Sequence, residues 1–444
     1  MTTDSPQAIN AINQFTEQLL SYGSNPEVIL EGLKVDPNSA ILNAHAAALH
    51  LFAESADAPL QADPYLQTAK KFLATATERE KLYVAAVDAW AQGDADRAVA
   101  YHEEIAQKFP RDVVSVQLGQ YHYFNLGDSQ GLLHLIEKVL PANDDNHYIY
   151  GMLAFGLEQC HRLSEAEAVG RKATEMHRHD PWAHHAVAHV LETQGRIEEG
   201  IAWMEDLSDT WEDIGTFYTH NWWHTALYYL DREDIPRALE LYDQHIWGRA
   251  AKEFSQCQID AISFLLRLEL RGIDVDTRWQ EIGSYLIGRL HEHVLGYLDL
   301  HYIYALARAG QDELVDEMLN SILTHAEIAK PYICKTWAEV AVPAVRGLIA
   351  HARGYWLTTV AELGAALPRL HEMGGSHAQR DVFEQVYLDA LLRSADFQRA
   401  RVLLEKRAAA RGNIPSIQRG LALTYKQLGL ADKSHRAASR AERG

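Results

Sequence analysis

The residues with the greatest chemical capacity in this 444-residue chain are its 23 histidines, and they are unevenly placed. In Trp182-Ala-His-His-Ala-Val-Ala-His-Val-Leu-Glu, His185 and His189 stand four apart and Glu192 follows three later. A helix puts all three on one face. The segment Tyr218-Thr-His-Asn-Trp-Trp-His-Thr-Ala repeats the spacing with His220 and His224 and sets Asn221 and Trp223 between them. Two neutral imidazoles from such a pair, joined by a carboxylate or by an imidazole from the next helix, supply three donors for zinc or another divalent ion. A fourth position stays open for water in a metal-assisted hydrolysis. The candidate metal ligands are His185, His189, Glu192 and His224. Without a metal, histidines poised near neutral pH can carry acid–base chemistry, and the candidates for it are His189, His224 and Asp381. The plainer alternative is that each pair is a packing or capping feature. Against it, two imidazoles and a carboxylate on one inner face need polar partners if buried.

Two further segments extend the set. His185, His224 and His301 lie ten, nine and nine residues before the next turn, so they are expected at similar heights on successive helices. In Gly374-Gly-Ser-His-Ala-Gln-Arg-Asp, Ser376 and Gln379 have the spacing of a capping box. The exposed N–H groups of such a helix start suit an anion, and His377, Arg380 and Asp381 stand on its first turn, with Arg380 placed to hold an anionic group. The candidate ligand-binding residues are therefore His185, Glu192, His220, Asn221, Trp223, His301, His377 and Arg380. Of Trp222 and Trp223, one is expected in the core and one in the groove. No Walker loop, GxGxxG after a strand, HExxH or GxSxG elbow is present.

These residues are positioned by a repeat. Turn segments centred on Gly93, Gly127, His161 and Gly195 follow one another at 34 residues, as do Ala395 and Gly429. Between them the turns at Glu233, Gly272, Gly310 and Gly354 fall at wider steps. A small or apolar residue follows five after the turn, and Ala86, Ala154, Ala188, Ala226 and Ala422 precede their turns by seven and Gly119 by eight, where helices must approach closely. Period-2 alternation is almost absent, so each unit reads as two amphipathic helices. Thirty-four residues is the period of a tetratricopeptide repeat. The expected class is all-α, a superhelical stack of antiparallel helix pairs that forms one repeat domain over 1–444. Its parts are an N-terminal cap (1–37), regular repeats (38–230), longer irregular repeats (231–390) and C-terminal repeats with a cap (391–444). The basic tail after Arg399 reads as a solvated face. First helices should line the concave surface, which puts the histidine pairs there.

The hydrophobic content of 47% is ample for a core. The formal charge of −20, from 61 acidic and 41 basic residues, argues against nucleic acid and anionic membranes as partners. Cys160, Cys257 and Cys334 are scattered and lack CxxC spacing. That pattern fits a reducing compartment, and with no signal peptide or 20-residue apolar run it places the chain in the cytoplasm.

The strings AFGLEQ (154–159), HAVAHVLETQGR (185–196), HNWWHTALYYLD (220–231), ALELYDQHIWG (238–248) and GGSHAQRDVFEQ (374–385), with PRDVVSVQLGQYHYFNLGD (110–128), resemble the tetratricopeptide repeat protein 38 family over most of the chain. The resemblance implies a helical-repeat fold and carries no defined activity. Two functional readings stand. One is a binding module that takes a small polar molecule or a peptide in a His/Trp/Tyr-lined pocket, compatible with a homo-oligomer. The other is an enzyme, with a metal-dependent hydrolase as its most specific form. The cofactor is undefined, zinc being the ion the donors would suit.

Overall fold

The computed structural model describes residues 1–442, and among them the chain is all-α, a stack of antiparallel helix pairs of the tetratricopeptide-like α-solenoid kind. The one β-bridge, Gly23 to Ile214, stands alone. Two compact units divide the chain. Unit 1 comprises Met1–Val187 with Thr210–Phe217 and Lys330–Tyr332. It holds the hairpins α1 (Pro6–Leu20) and α2 (Val28–Val35), α3 (Ala40–Leu51) and α4 (Ala58–Lys71), and α5 (Glu78–Ala91) and α6 (Ala95–Lys108). It continues with α7 (Val113–Asn125) and α8 (Ser129–Val139), then α9 (His147–Gln159) and α10 (Leu163–Met176). The dividing line falls between Val187 and Ala188, inside α11 (Pro181–Thr193).

Unit 2 takes the second half of α11 and then α12 (Ile197–Leu207), α13 (Phe217–Asp231), α14 (Ile235–Leu241), α15 (Ser255–Leu270) and α16 (Arg278–Tyr285). After α17 (Gly296–Arg308) and α18 (Asp312–Ile328) come the short α19 (Cys334–Thr336), α20 (Val342–Ala352) and α21 (Trp356–Ala366). The last hairpins are α22 (His377–Arg393) with α23 (Phe397–Arg411) and α24 (Pro415–Gln427) with α25 (Ala431–Ala441). The wider turn spacing of this region is taken up by the 17-residue α18 and by π-helical turns at Tyr242–Ile246 and Trp337–Ala341.

Every turn residue expected from the sequence has a positive φ: Gly93, Gly127, His161, Gly195, Glu233, Gly272, Gly310, Gly354, Ala395 and Gly429. The cause is the end of the preceding helix. At Gly93, the glycine N–H donates to Trp90 O at 2.8 Å and the Asp94 N–H to Ala89 O at 2.9 Å, which satisfies two terminal carbonyls only if the chain turns left-handed. The Asp94 side chain then accepts from Arg97 N and caps the next helix, as Asp128, Asp234 and Asp396 do after their turns. One Gly-Asp pair thus stops one helix and starts another. Two hairpin turns, at Tyr22 and Glu54, went unread in the sequence, since neither glycine nor the 34-residue step marks them.

Unit 1 has a continuous apolar core from Ala8 through Phe15, Ile41 and Val84 to Leu118. Polar groups within it are matched in pairs: His45 Nδ1 lies 2.9 Å from Tyr83 Oη, and His102 Nδ1 lies 2.8 Å from Ser115 Oγ. Burial, with a smaller contribution from Arg79 that outweighs Glu80, pushes His45 down to about 3, and burial does the same to His122. Unfolding returns each imidazole to its ordinary value near 6.5. The buried neutral form therefore stabilises the fold fully above that value, and the stabilisation is lost as pH falls toward 3, at about 1.4 kcal/mol per pH unit for each group. Melting temperature is expected to drop steadily below pH 6.5, with a shallower acid slope for His45→Gln. An unchanged slope would show that His45 does not contribute.

Candidate functional site

In unit 2, the second half of α11 and helices α13 and α15 bring their polar residues together. His189 and Glu192 come from α11, His220, Asn221, Trp223 and His224 from α13, and all six are buried. The helices can approach closely because the residues between them are small: Ala188 and Ala226 are fully buried, and the Ala188 carbonyl accepts from Tyr228 Oη at 2.6 Å. His189, His220 and His224 each bring a ring nitrogen within 4.8 Å of the others. The rings are inclined, His189 to His224 at 55° and His220 to His224 at 83°.

Two carboxylates stand behind this group. Asp260 on α15 holds His220 Nδ1 at 3.0 Å from both of its oxygens, and Gln256 Nε2 donates to Asp260 at 2.8 Å. Glu192 Oε2 lies 3.3 Å from His224 Nδ1. Burial raises Glu192 above the usual carboxylate range against the pull of Arg411, and burial holds His224 well below the usual imidazole range.

Sequence reading missed the cation at this centre. Arg267 on α15 is 2% exposed, lies over the Trp223 ring at 5.2 Å, and donates to Ser263 O at 3.2 Å and to Ala378 O at 2.6 Å. Among the described residues no carboxylate lies within 4.0 Å of its guanidinium. Burial lowers its pKa. Trp223 Nε1 donates to Ser263 Oγ at 3.0 Å, which fixes the indole face that the guanidinium covers. Asn221 is completely buried, and neither its carboxamide oxygen nor its nitrogen has a hydrogen-bond partner.

The other expected residues lie around this centre or away from it. His185 belongs to unit 1, its ring packed against Phe155, Trp182 and Phe217. His301 on α17 bonds the Tyr297 carbonyl at 2.9 Å and packs edge-on against Phe383, and burial brings it down to about 4. The capping box at Ser376 and Gln379 forms as expected, with bonds of 3.2 and 2.9 Å. His377 is half-buried on the first turn of α22. The Arg380 guanidinium turns back onto the Gly374 and Gly375 carbonyls of its own loop. Asp381 is held by Arg407 and Gln385, and although burial raises it, Arg407 keeps it far below the usual carboxylate range. Both tryptophans are core residues: Trp223 is fully buried, and Trp222, 8% exposed, stacks on His245.

The basic tail is not a solvated face throughout. Arg407 pairs with Asp381 and Glu384, while Arg411 pairs with Asp231 at 2.6 Å and approaches Glu192 at 3.8 Å. Asp231 also takes Arg271 at 2.5 Å. Burial raises Asp231, but Arg411 and Arg271 together hold it below its usual range. With the Arg419–Glu233 pair, these bonds bring the last hairpins of unit 2 against its first turns. Arg411 and Arg419 look solvated in sequence because their acids lie 180 and 186 residues away.

No protein-family model matches the chain. Among solved structures it is similar to the human IFIT1 dimer with m7Gppp-AAAA, at 13% identity over 99% of this chain and 95% of that one, with a TM-score of 0.45. It is similar to yeast Tom70 at 12% identity over 82% of this chain and 91% of that one, with a TM-score of 0.27. Naa15/Naa10 bound to HypK-THB is matched at 12% identity over 98% and 67%, with a TM-score of 0.27. The exclusion of nucleic acid on the formal charge of −20 is thereby corrected, since IFIT1 is solved with capped and triphosphate oligonucleotides. Net charge averages over the whole surface and by itself excludes no anionic partner. Among the described residues no helix is long and apolar enough to cross a membrane.

Proposed function

We propose that the chain is a binding protein of the tetratricopeptide repeat protein 38 kind, working in the cytoplasm, whose unit 2 takes a small anionic ligand at the Arg267 centre. The supporting observation is a buried guanidinium with no carboxylate within 4.0 Å, Asp381 and Glu192 acting on it only from further off. An ionised group removed from water without a counter-charge costs several kcal/mol, and a phosphate or carboxylate of a ligand would offset that cost through charge-assisted bonds. Asn221, with both amide ends unbonded, could add a donor and an acceptor, and the imidazoles of His189, His220 and His224 further polar contacts. A peptide laid along an open groove would need exposed cations, and these groups are buried.

A thermal-shift screen tests this with inorganic phosphate, dicarboxylates, nucleotides, a 5′-triphosphate oligonucleotide and peptides. At 100 times its Kd a ligand adds about 2.7 kcal/mol to stability. Small anions are expected to raise the melting temperature by several degrees in the parent and not in Arg267→Met. Stabilisation by neutral peptides alone, or an equal response in the variant, would contradict the proposal.

A catalytic reading is favoured by one observation, the His220 ring held by both Asp260 oxygens, an arrangement that orients an imidazole for proton transfer. His189 and His224 are its neighbours, while Asp381 is better suited to anchoring Arg407. Following ligands that stabilise the fold for turnover, in the parent and in His220→Asn, separates the two: no product from any of them would leave binding alone.

A further inference from the structure

We infer that His189, His220 and His224 form a site for one divalent transition-metal ion, with Asp260 and Glu192 as the carboxylates that orient and neutralise it. The inference deepens the reading of this centre as a ligand site and rests on it. Three observations carry it. The first is the gathering of three ring nitrogens within 4.8 Å from two helices. Nitrogens around one zinc ion stand about 3.3 Å apart, so the imidazoles need close only modestly. The second is ring orientation: the inclined planes let nitrogens converge on a point, as stacked rings would not.

The third is the position of the carboxylates. A metal-bound histidine usually gives its other ring N–H to a carboxylate, which fixes the tautomer and strengthens the donor. His220 has Asp260 at 3.0 Å on Nδ1, which leaves Nε2 as its donor atom, and His224 has Glu192 at 3.3 Å on Nδ1 with the same result. Asp260 places negative charge directly behind the site, while Glu192 is shared with Arg411 at 3.8 Å. An all-imidazole donor set suits zinc, cobalt, nickel or copper and not magnesium or calcium, which take oxygen ligands. The arrangement differs from the expected set of His185, His189, Glu192 and His224 in that Glu192 stands behind His224 and His220 offers a ring nitrogen.

The test uses the untagged full chain, expressed in medium with added zinc and assayed for metals by mass spectrometry after gel filtration. About one equivalent of a transition metal per chain is expected. After chelation, one equivalent of cobalt(II) should restore occupancy with the visible absorption of a low-coordinate nitrogen site. His220→Asn and His224→Asn should lose at least nine-tenths of the bound metal, and the surface variant His291→Ala should lose none. Circular dichroism identifies any variant that fails to fold, and for such a variant the cobalt spectrum of the parent decides. Absence of metal in the parent together with no cobalt uptake overturns the inference, as does undiminished metal in the folded variants. Loss of the inference leaves the anion response of the parent and Arg267→Met intact, so the two failures are distinguishable.

Discussion

Arg411→Met is expected to destabilise the chain by about 3–5 kcal/mol, read as a lower urea midpoint with an unchanged slope. The size follows from what the substitution leaves behind. Asp231 is buried at the end of α13, with one oxygen on Arg271 at 2.5 Å and the other on Arg411 at 2.6 Å. Glu192 stands 3.8 Å from the same guanidinium. Methionine fills most of the space but returns no charge, so two buried acids lose a common cation. A cost under 1 kcal/mol would mean that α23 does not close against α11 and α13.

The second large effect separates two glycines that sequence treats alike. Gly93 and Gly195 both end a first helix, with φ of +66° and +67°. A Cβ at Gly93 meets nothing within 4 Å, whereas at Gly195 it would fall 2.1 Å from the Arg411 carbonyl oxygen. Gly93→Ala is therefore expected to cost about 1 kcal/mol, the ordinary left-handed penalty. Gly195→Ala must also displace backbone of α23 and should cost on the order of 3 kcal/mol or more. Equal melting temperatures for the two variants would contradict the close approach of the last hairpins to the Gly195 turn.

The fold was largely legible because its determinants are local. A left-handed residue at the helix end, a cap immediately after it and a small residue at the helix contact all lie within a dozen positions, and they recur. Tyr22 and Glu54 escaped because neither a glycine nor the 34-residue step marks them, as the step marks His161. The site was legible only in part. Histidine pairs announce themselves by i,i+4 spacing, and His189, His220 and His224 do meet. Asp260 and Arg267 carry no such signature. They stand among other polar residues of α15, Gln256, Gln258, Ser263 and Glu269, and their partners are 40 residues away on α13 or, for Arg267, 111 away on α22. An acid and an arginine seven apart in that helix were the available signal, since both lie on one face and neither is readily buried alone. Arg380, expected from its place at a helix start to hold an anion, bonds the Gly374 and Gly375 carbonyls of its own loop, a contact with no signature in the sequence.

The account turns on Arg267 being retained for a ligand and not for the fold, and the most direct measurement is the melting temperature of Arg267→Met beside Arg411→Met, both without ligand. Arg411, the slightly more exposed of the two, is bonded to a carboxylate and Arg267 only to two main-chain carbonyls. The account predicts that Arg267→Met melts within about 1 kcal/mol of the parent, or above it, since replacing an unpaired buried charge by an apolar side chain of similar volume is commonly neutral or stabilising. A loss as large as that of Arg411→Met would make Arg267 a structural residue and contradict the ligand site.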